Sequence, residues 1–138
     1  MSTAPGSSTR AVALGLDKGV AVQELGWDSD VDEDLRDDIM DVTGEEFVYE
    51  ALEAVDVVLL WWRSEDGDLA DGLVDALTDL TANGVIWLLT PKVGQPGYVD
   101  PTDLAEAALT AGLSLANPAS VSSRWQAHKL VRPKGIRR

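Results

Sequence analysis

The stretch VDVVLLWWRSEDGDLADGLVDALTDLTANGVIWLLT, residues 55–90, decides the fold class of this chain. It opens with the apolar run 55–62 and closes with the run 85–90, and both are rich in Val, Ile, Leu and Trp, which is typical of central strands buried on both faces. Between them, leucines spaced four, four and three residues apart predict one apolar helix face that ends at Asn83 and Gly84: Leu69, Leu73, Leu77 and Leu80. A strand, a helix and a second strand in succession predict a βαβ unit with a parallel strand pair.

The segments on either side extend this unit into one α/β domain. Alternating apolar residues in VAVQELG predict a first strand over 20–25. Asp100, Pro101 and Gly112 suit the N-cap, first residue and C-cap of a further helix. The stretches LSLANPASV and AHKLVRP predict two antiparallel strands joined around Trp125. The domain is expected to span residues 13–133, between a disordered segment, 1–12, and a basic tail, 134–138.

The acidic stretch GWDSDVDEDLRDDIMDVTG, residues 26–44, has a local explanation as an amphipathic helix. Asp30 is predicted to cap this helix in a capping box with Glu33, and Gly44 is predicted to end it. The acids are expected on the solvated faces, because one apolar stripe accounts for the buried face: Val31, Leu35, Ile39 and Val42.

The same stretch resembles half of a calcium loop. Asp28, Asp30 and Asp32 have the spacing of the first ligands, but Glu33 stands where the sharp turn needs glycine. Ile39 stands where the bidentate glutamate belongs. The sequence therefore predicts no metal site here.

Composition excludes several classes of site and predicts no catalytic residue. The chain has no cysteine, which excludes disulfides, thiolate nucleophiles, iron–sulfur clusters and thiolate zinc sites. Its single histidine, His128, lies in a predicted strand and is expected to be a packed or surface residue. The sequence GLSLA around Ser114 lacks the second glycine of a nucleophile elbow. Without a long apolar run or a signal-peptide layout, the protein is expected in the cytoplasm and not at a membrane.

Charge is distributed unevenly along the chain. The net charge is −13, and all 24 acidic residues lie at or before Glu106. Six of the eleven bases lie in the last fifteen residues, so the charge is −19 before position 124 and +6 from there on. The acidic surface would repel a nucleic-acid backbone, so we expect no DNA there. The charge asymmetry suits a protein partner, although a regulator that mimics nucleic acid would also account for the charge.

The carboxyl ends of the predicted parallel strands carry the candidate ligand or partner contacts, because ligands of open α/β sheets bind outside these ends. Two tryptophans followed by an arginine suit the stacking or clamping of a flat or anionic ligand. The alternative is that the adjacent tryptophans point to opposite faces and cover the flanking helices. The residues predicted as partner or ligand contacts are Trp61, Trp62, Arg63 and Lys92.

The stretches VQELGWD, DVVLLWWR and ALTDLTANGVIWLLTPK resemble an actinobacterial family of small proteins of unknown function, over about residues 14–133. A more distant similarity is to Rossmann-like S-adenosylmethionine-dependent methyltransferases, whose first motif is a strand ending in Glu or Asp and then a glycine-rich loop. Glu24, Leu25 and Gly26 match the start of that motif, and VDVVLLWW and GVIWLLTPK resemble the fourth and fifth strands. The resemblance implies a truncated Rossmann-like three-layer sandwich with a mostly parallel sheet and an antiparallel C-terminal strand pair.

The resemblance also implies a cofactor position over Glu24, Gly26, Trp27 and Asp28, but the chain departs from the motif there. The later glycines are absent, and Trp27 is expected to fill the space that they would leave. The interval before the next strand has room for one short strand, EFVY, so that Glu50 is a weak substitute for a ribose-binding acid.

Two functions follow from these observations. We expect a non-enzymatic methyltransferase-like domain that binds a protein partner and no cofactor. The alternative is a minimal S-adenosylmethionine-dependent methyltransferase of unknown substrate.

Overall fold

The computed structural model describes residues 9–50, 53–116 and 118–133. Within these ranges five strands form one sheet: β1 (Val22–Leu25), β2 (Val55–Trp61), β3 (Leu80–Pro91), β4 (Ser114–Leu115) and β5 (Trp125–Val131). The helices are α1 (Thr9–Ala13), α2 (Glu33–Thr43), α3 (Leu69–Ala76) and α4 (Pro101–Thr110), and one short 3-10 helix spans Ser64–Asp66.

The strand order is β1-β2-β3-β5-β4. β1, β2 and β3 pair in parallel, whereas β5 runs antiparallel to both β3 and β4. This arrangement confirms the predicted mostly parallel sheet with an antiparallel C-terminal pair.

Two apolar cores lie on opposite faces of the sheet, which makes the domain a three-layer sandwich. Alternate residues of a strand point to opposite faces, so Leu59 enters one core and its neighbour Leu60 enters the other. Leu35 of α2 packs in the first core. Leu73 of α3 and Leu104 of α4 pack in the second core. β2 is buried on both faces, and its sequence therefore lacks the alternation of apolar and polar residues that is typical of a half-exposed strand.

The boundary between α3 and β3 differs from the prediction. The leucine spacing predicted a helix up to Asn83, but α3 ends at Ala76, and Leu80 already pairs with Val55 in the sheet. Leu80 is buried, and its side chain lies across Gly84, where a Cβ would stand 2.5 Å from Leu80 Cγ. Leu80 therefore packs in the same core as Leu69 and Leu73, but it does so from β3. Its helical spacing from the leucines of α3 is a coincidence.

The N-terminal boundary also differs. Residues 9–12, predicted as disordered, belong to α1, where Ala11 is fully buried in the core below α2. The next turn is held by a hydrogen bond of 2.9 Å from Trp87 Nε1 to the carbonyl oxygen of Leu14. The rest of the predicted disordered segment, 1–8, and the predicted basic tail, 134–138, lie outside the described residues.

The acidic stretch forms α2, but its N-cap is Asp32 and not Asp30. Asp32 Oδ1 accepts a hydrogen bond of 3.0 Å from the Leu35 backbone nitrogen, and Gly44 ends the helix with φ of 74°. Asp38 is a second correction, because it is only 8% exposed and does not lie on a solvated face. Three residues of the predicted stripe are buried: Val31, Leu35 and Ile39.

The start of α4 matches its prediction, but its C-cap is Ala111 and not Gly112, which follows with a φ of 77°. Asp100 Oδ1 accepts a hydrogen bond of 2.9 Å from the Thr102 backbone nitrogen, and Pro101 is the first helical residue. In the parts of the chain that the structure describes, no helix is long and apolar enough to cross a membrane.

Candidate functional site

Glu24, near the end of β1, is the centre of the site. Its side chain is fully buried, and its two oxygens accept four hydrogen bonds. Oε2 accepts from Arg36 Nε at 2.7 Å and from Trp61 Nε1 at 2.9 Å. Oε1 accepts from Arg36 Nη2 at 2.8 Å and from the Tyr49 hydroxyl at 2.9 Å. A carboxylate offers about four acceptor positions, so these donors use the full capacity of Glu24.

Three elements bring these donors to Glu24. Arg36 reaches it from the second turn of α2, and Trp61 from the end of β2, which lies beside β1. Tyr49 is positioned by Val48, which makes a single parallel bridge to Gln23 on the free edge of β1. This bridge is all that the described part of the predicted EFVY strand forms, and Glu50 is exposed beyond it.

Arg63, directly after β2, closes the gap between the ends of β1 and β2. Its guanidinium donates to both carboxylate oxygens of Asp30, at 3.1 Å from Nε and 2.5 Å from Nη2, and to the carbonyl oxygen of Gly26 at 2.7 Å. Asp66 lies 3.3 Å from Nη1 on the other side. The Arg63 side chain is only 8% exposed, so a paired cation occupies the space outside the strand ends.

Aromatic rings complete the filling of this space. The ring of Trp125 lies edge to face against Trp61, with centroids 5.0 Å apart, and the Arg63 guanidinium stacks over Trp125 at 5.1 Å. The Trp125 indole nitrogen donates to the carbonyl oxygen of Asp30 at 3.1 Å. The first residue of β5 is thereby fixed against the loop that follows β1. We refer to Glu24, Asp30, Trp61, Arg63 and Trp125 as the strand-end cluster.

Gly26 packs tightly against the backbone of β2. Its φ is 79°, and a Cβ at this position would stand 2.2 Å from the carbonyl oxygen of Trp61. Glycine is therefore required for the close approach of two pieces of this chain.

The charges of the site stabilise one another. Hydrogen bonds to Glu24, and then to Glu33, raise the pKa of Arg36, although burial opposes the rise. Burial lowers the pKa of Arg63, but the hydrogen bonds and charge interactions with Asp30 and Asp66 together outweigh this effect, and the net shift is upward. The same hydrogen bonds lower the pKa of Asp30. Both arginines therefore stay charged, and Asp30 is ionised at neutral pH.

An exposed patch continues outward from Arg36. Arg36 Nη1 lies 2.7 Å from Glu33 Oε1, and Glu33 Oε2 accepts a hydrogen bond of 3.3 Å from the Trp27 indole. Tyr49 lies 3.1 Å from Arg36 Nη2. Trp27 is 50% exposed and Tyr49 is 55% exposed. We call Trp27, Glu33, Arg36 and Tyr49 the aromatic patch.

The structure brings together some of the predicted site residues and separates others. Glu24, Trp61 and Arg63 lie in the strand-end cluster and are buried, and the carbonyl oxygen of Gly26 accepts a hydrogen bond from Arg63. Trp62 points to the opposite sheet face and packs on Gly72 of α3. Lys92 lies at the end of β3 on that same opposite side, beside a separate cavity.

The remaining predicted residues lie in solvent. Asp28 is exposed, and its carboxylate accepts from the Ser29 backbone nitrogen at 2.7 Å. Trp27 does not fill the space left by the missing glycines, since it is half-exposed in the aromatic patch. Arg63, Asp30 and Trp125 fill that space.

Five residues of the site were not predicted as site residues: Asp30, Glu33, Arg36, Tyr49 and Trp125. Asp30 and Glu33 were expected only as the capping pair of the acidic helix. Arg36 had a signal, because it is the single base within an otherwise acidic helix. Tyr49 and Trp125 had none, because nothing in their local sequence indicates contact with β1.

The residues at the ends of β1 and β2 do not fit S-adenosylmethionine. The acid in the motif position has no acceptor position left for a ligand hydroxyl, and the strand-end cluster occupies the crevice above it. Gly26 contacts Trp61, which leaves no gap for the backbone approach that the motif glycines provide. Among residues 9–50, 53–116 and 118–133, no group of three acidic or histidine side chains could hold a metal ion.

The fold is similar to solved structures of methyltransferases. Magnesium protoporphyrin IX methyltransferase from Synechocystis PCC 6803, solved with bound S-adenosylmethionine, has a TM-score of 0.58 and 11% identity over 93% of this chain and 78% of that chain. Precorrin-6y C5,15-methyltransferase from Geobacter metallireducens GS-15 has a TM-score of 0.59 and 14% identity over 96% of this chain and 94% of that chain. These similarities establish a Rossmann-like, methyltransferase-like fold, as the sequence predicted.

Closer relatives are known by sequence. The uncharacterized proteins Rv2239c of Mycobacterium tuberculosis (strain ATCC 25618 / H37Rv) and Mb2263c of Mycobacterium bovis are each 48% identical over 129 residues, which are 93% of this chain and 81% of the relative. A family described as protein of unknown function (DUF3052) matches residues 11–134. The predicted resemblance to an actinobacterial family of unknown function is thereby confirmed. The chain belongs to the DUF3052 family.

Proposed function

We propose that this chain is a methyltransferase-like domain that does not use S-adenosylmethionine and acts by binding a protein partner. One observation carries the first half of the proposal, namely the buried Glu24 carboxylate whose four acceptor positions are all used by the chain itself. A ligand hydroxyl would have to displace Arg36 or Tyr49, and the displaced arginine would lose its strongest partner.

The alternative, a minimal methyltransferase, requires the strand-end cluster to open. Arg63 would have to leave Asp30, Gly26 and the Trp125 ring together, because all of these contacts lie in the same crevice. The Arg63 side chain is 8% exposed but that of Asp30 is 49% exposed, so breaking this ion pair costs less than the roughly 3–5 kcal/mol of a fully buried pair. A cofactor would have to offset this cost, together with the lost contacts to Gly26 and Trp125, before it gained any net affinity. The filled crevice therefore favours a scaffold over an enzyme.

The aromatic patch is the surface that we assign to the partner. Trp, Tyr and Arg are the residues that most often dominate the binding energy of protein interfaces, and here all three are held in fixed positions by hydrogen bonds. Exposed acids are neighbours of patch residues in the sequence: Asp28 follows Trp27, Asp34 follows Glu33 and Asp37 follows Arg36. A partner that suits it carries a basic rim around an apolar centre.

Binding of S-adenosylmethionine tests the first half of the proposal. A ligand at 100 times its dissociation constant would stabilise the domain by about 2.7 kcal/mol, which corresponds to several degrees in Tm. We expect no shift at about 1 mM, a concentration that would reveal any dissociation constant near 10 μM. Calorimetry that gave a micromolar constant for the unmodified protein would overturn this half of the proposal in favour of the methyltransferase alternative.

Substitution in the aromatic patch tests the second half. Immobilised protein is used to capture partners from an actinobacterial lysate, and Trp27→Ala is compared with Leu109→Ala, which removes a 79% exposed apolar side chain from α4. Both variants should fold, because Leu109 is 79% exposed and Trp27 is half-exposed, and neither side chain belongs to the two apolar cores. We expect Trp27→Ala to lose a specific captured protein that Leu109→Ala retains. If the two variants captured the same proteins, the aromatic patch would not be the partner-binding surface.

A further inference from the structure

A cavity of about 350 Å³ lies between the end of β3, the start of α4 and the middle of β5. It is on the opposite sheet face from the strand-end cluster and shares no residue with the aromatic patch. Its walls are largely apolar, with Val93 and Tyr98 from the connection after β3 and Pro101 and Leu104 from α4. The volume is in the range of small-molecule sites, roughly 300–1,000 Å³.

The charge of this cavity is opposite to that of the chain. The chain has 24 acidic residues against eleven basic ones, yet no acid is among the described residues that line the cavity. The neighbouring groove between α3 and α4 differs, since four acids line it: Asp68, Asp100, Asp103 and Glu106. The only charged side chain of the described cavity wall is Lys92.

Lys92 is a cation for which the described part of the chain supplies no side-chain partner. Across residues 9–50, 53–116 and 118–133 its side chain makes no hydrogen bond and no ion pair, although its backbone nitrogen is bonded to the Arg124 carbonyl oxygen at 2.9 Å. It is half-buried, so its charge is less completely hydrated than that of a fully exposed lysine.

Polar groups on the cavity floor provide a second point of recognition. His128 Nε2 lies 3.1 Å from Thr90 Oγ1, and Gln126 lines the wall beside them. Burial lowers the pKa of His128, so the imidazole is neutral at neutral pH and Lys92 supplies the charge. Apolar walls with few convergent polar groups are the usual composition of a ligand site.

We propose that this cavity binds a small carboxylic acid with an apolar body. The carboxylate pairs with the Lys92 ammonium, and the body packs between Tyr98 and Leu104. A cationic ligand is disfavoured because it would meet Lys92, and the acid-free wall removes the repulsion that an anion meets elsewhere on this surface. The site is independent of the proposed function, because it uses neither the strand-end cluster nor the aromatic patch.

The test is an NMR titration of the full chain with benzoate and with benzamide, which has nearly the same shape without the charge. His128 is the only histidine, so its imidazole signals report on the cavity without further assignment. We expect a saturable shift with benzoate, at a dissociation constant of roughly 1 mM for so small a ligand. Binding of benzamide should be roughly tenfold weaker or undetectable.

Two variants locate the charge. Lys92→Gln should weaken benzoate roughly tenfold and abolish its preference over benzamide, whereas Lys18→Gln, at an exposed position outside the cavity, should change neither. The proposal is overturned if benzoate leaves the His128 signals unmoved. It is equally overturned if benzamide matches benzoate in the unmodified protein, or if Lys92→Gln binds benzoate as tightly as the unmodified protein does.

Discussion

The comparison of Glu24→Gln with Glu33→Gln isolates the effect of burial on one ion pair. Both glutamates lie 2.7 Å from Arg36, but the Glu24 side chain is fully buried and the Glu33 side chain is 52% exposed. The substitution keeps the shape of the side chain in both places. At Glu24 it turns one acceptor oxygen into an NH₂ group that faces other donors, with Trp61 Nε1 among them.

The magnitudes follow from this difference. Removing one partner of a buried, hydrogen-bonded ion pair costs about 3–5 kcal/mol, whereas an exposed pair is worth about 1 kcal/mol or less. The total stability of such a domain is about 5–15 kcal/mol, so Glu24→Gln should remove a large part of it. For a chain of this length, 3–5 kcal/mol corresponds to a fall of roughly 10–20 °C in Tm, against a few degrees for Glu33→Gln.

Urea unfolding measures both costs. Tryptophan fluorescence is a suitable probe, because Trp61 and Trp125 lie in the strand-end cluster next to Glu24. We expect the midpoint for Glu24→Gln to fall well below that for Glu33→Gln at an unchanged slope. Free energies of unfolding within about 1 kcal/mol of each other would refute the argument, because burial would then contribute nothing to the pair.

Three further predictions rest on single residues. Gly26→Ala should lower the free energy of unfolding by several kcal/mol or prevent folding, because its Cβ would stand 2.2 Å from a backbone oxygen. Gly44 has a similar φ but open space around it, so Gly44→Ala should lower the free energy of unfolding by about 1 kcal/mol. Thermal unfolding of the two variants measures the difference. The imidazole of His128 should titrate with a midpoint below about 6.5 by NMR, and a midpoint above that value would contradict its burial. The pKa of Asp30 is lowered in the folded state, so ionised Asp30 stabilises the fold at pH values above the ordinary aspartate pKa of about 3.9. This stabilisation is lost as the pH falls through the lower pKa of the folded state. Asp30→Asn should therefore be less stable than the unmodified protein at neutral pH, and its stability should fall less steeply below about pH 4.

The layout of the sheet could be predicted because it depends on local patterns. The runs that became β2 and the end of β3 are apolar on both faces, and such runs are distinctive over six to eight residues. The start of α4 was predictable for the same reason, since Asp100 and Pro101 act within one helical turn.

Helix ends were less predictable where one residue type suits two structures. Leu80 continues the spacing of α3 but packs into the core from β3, and only the pairing with Val55 decides between the two. By residue type, Asp30 suits the N-cap of α2 as well as Asp32 does. Asp30 instead forms an ion pair with Arg63, and Asp32 caps the helix. In each case a tertiary contact overrides a local preference.

The sequence predicted where the candidate site lies, but not that its crevice is filled and the hydrogen-bonding capacity of Glu24 is used up. The motif placed Glu24 and Gly26 at a strand end, and the missing glycines indicated an altered crevice. That Glu24 is saturated depends on Arg36, Tyr49 and Trp61, which lie 12, 25 and 37 residues away. No local pattern encodes such contacts. A bulky residue was expected in the crevice, but it is the more distant Trp125 and not Trp27.

The rigidity of the aromatic patch has a kinetic consequence. Trp27 is held by Glu33, and Tyr49 by Arg36 and Glu24, so the conformational entropy of these side chains is already reduced before any encounter. A partner would then dock without waiting for a loop to reorganise, and its association rate would be set by diffusion and by long-range attraction to the exposed acids next to the patch residues. Such a rate falls steeply as salt is added, while the dissociation rate, which depends on short-range contacts, changes little.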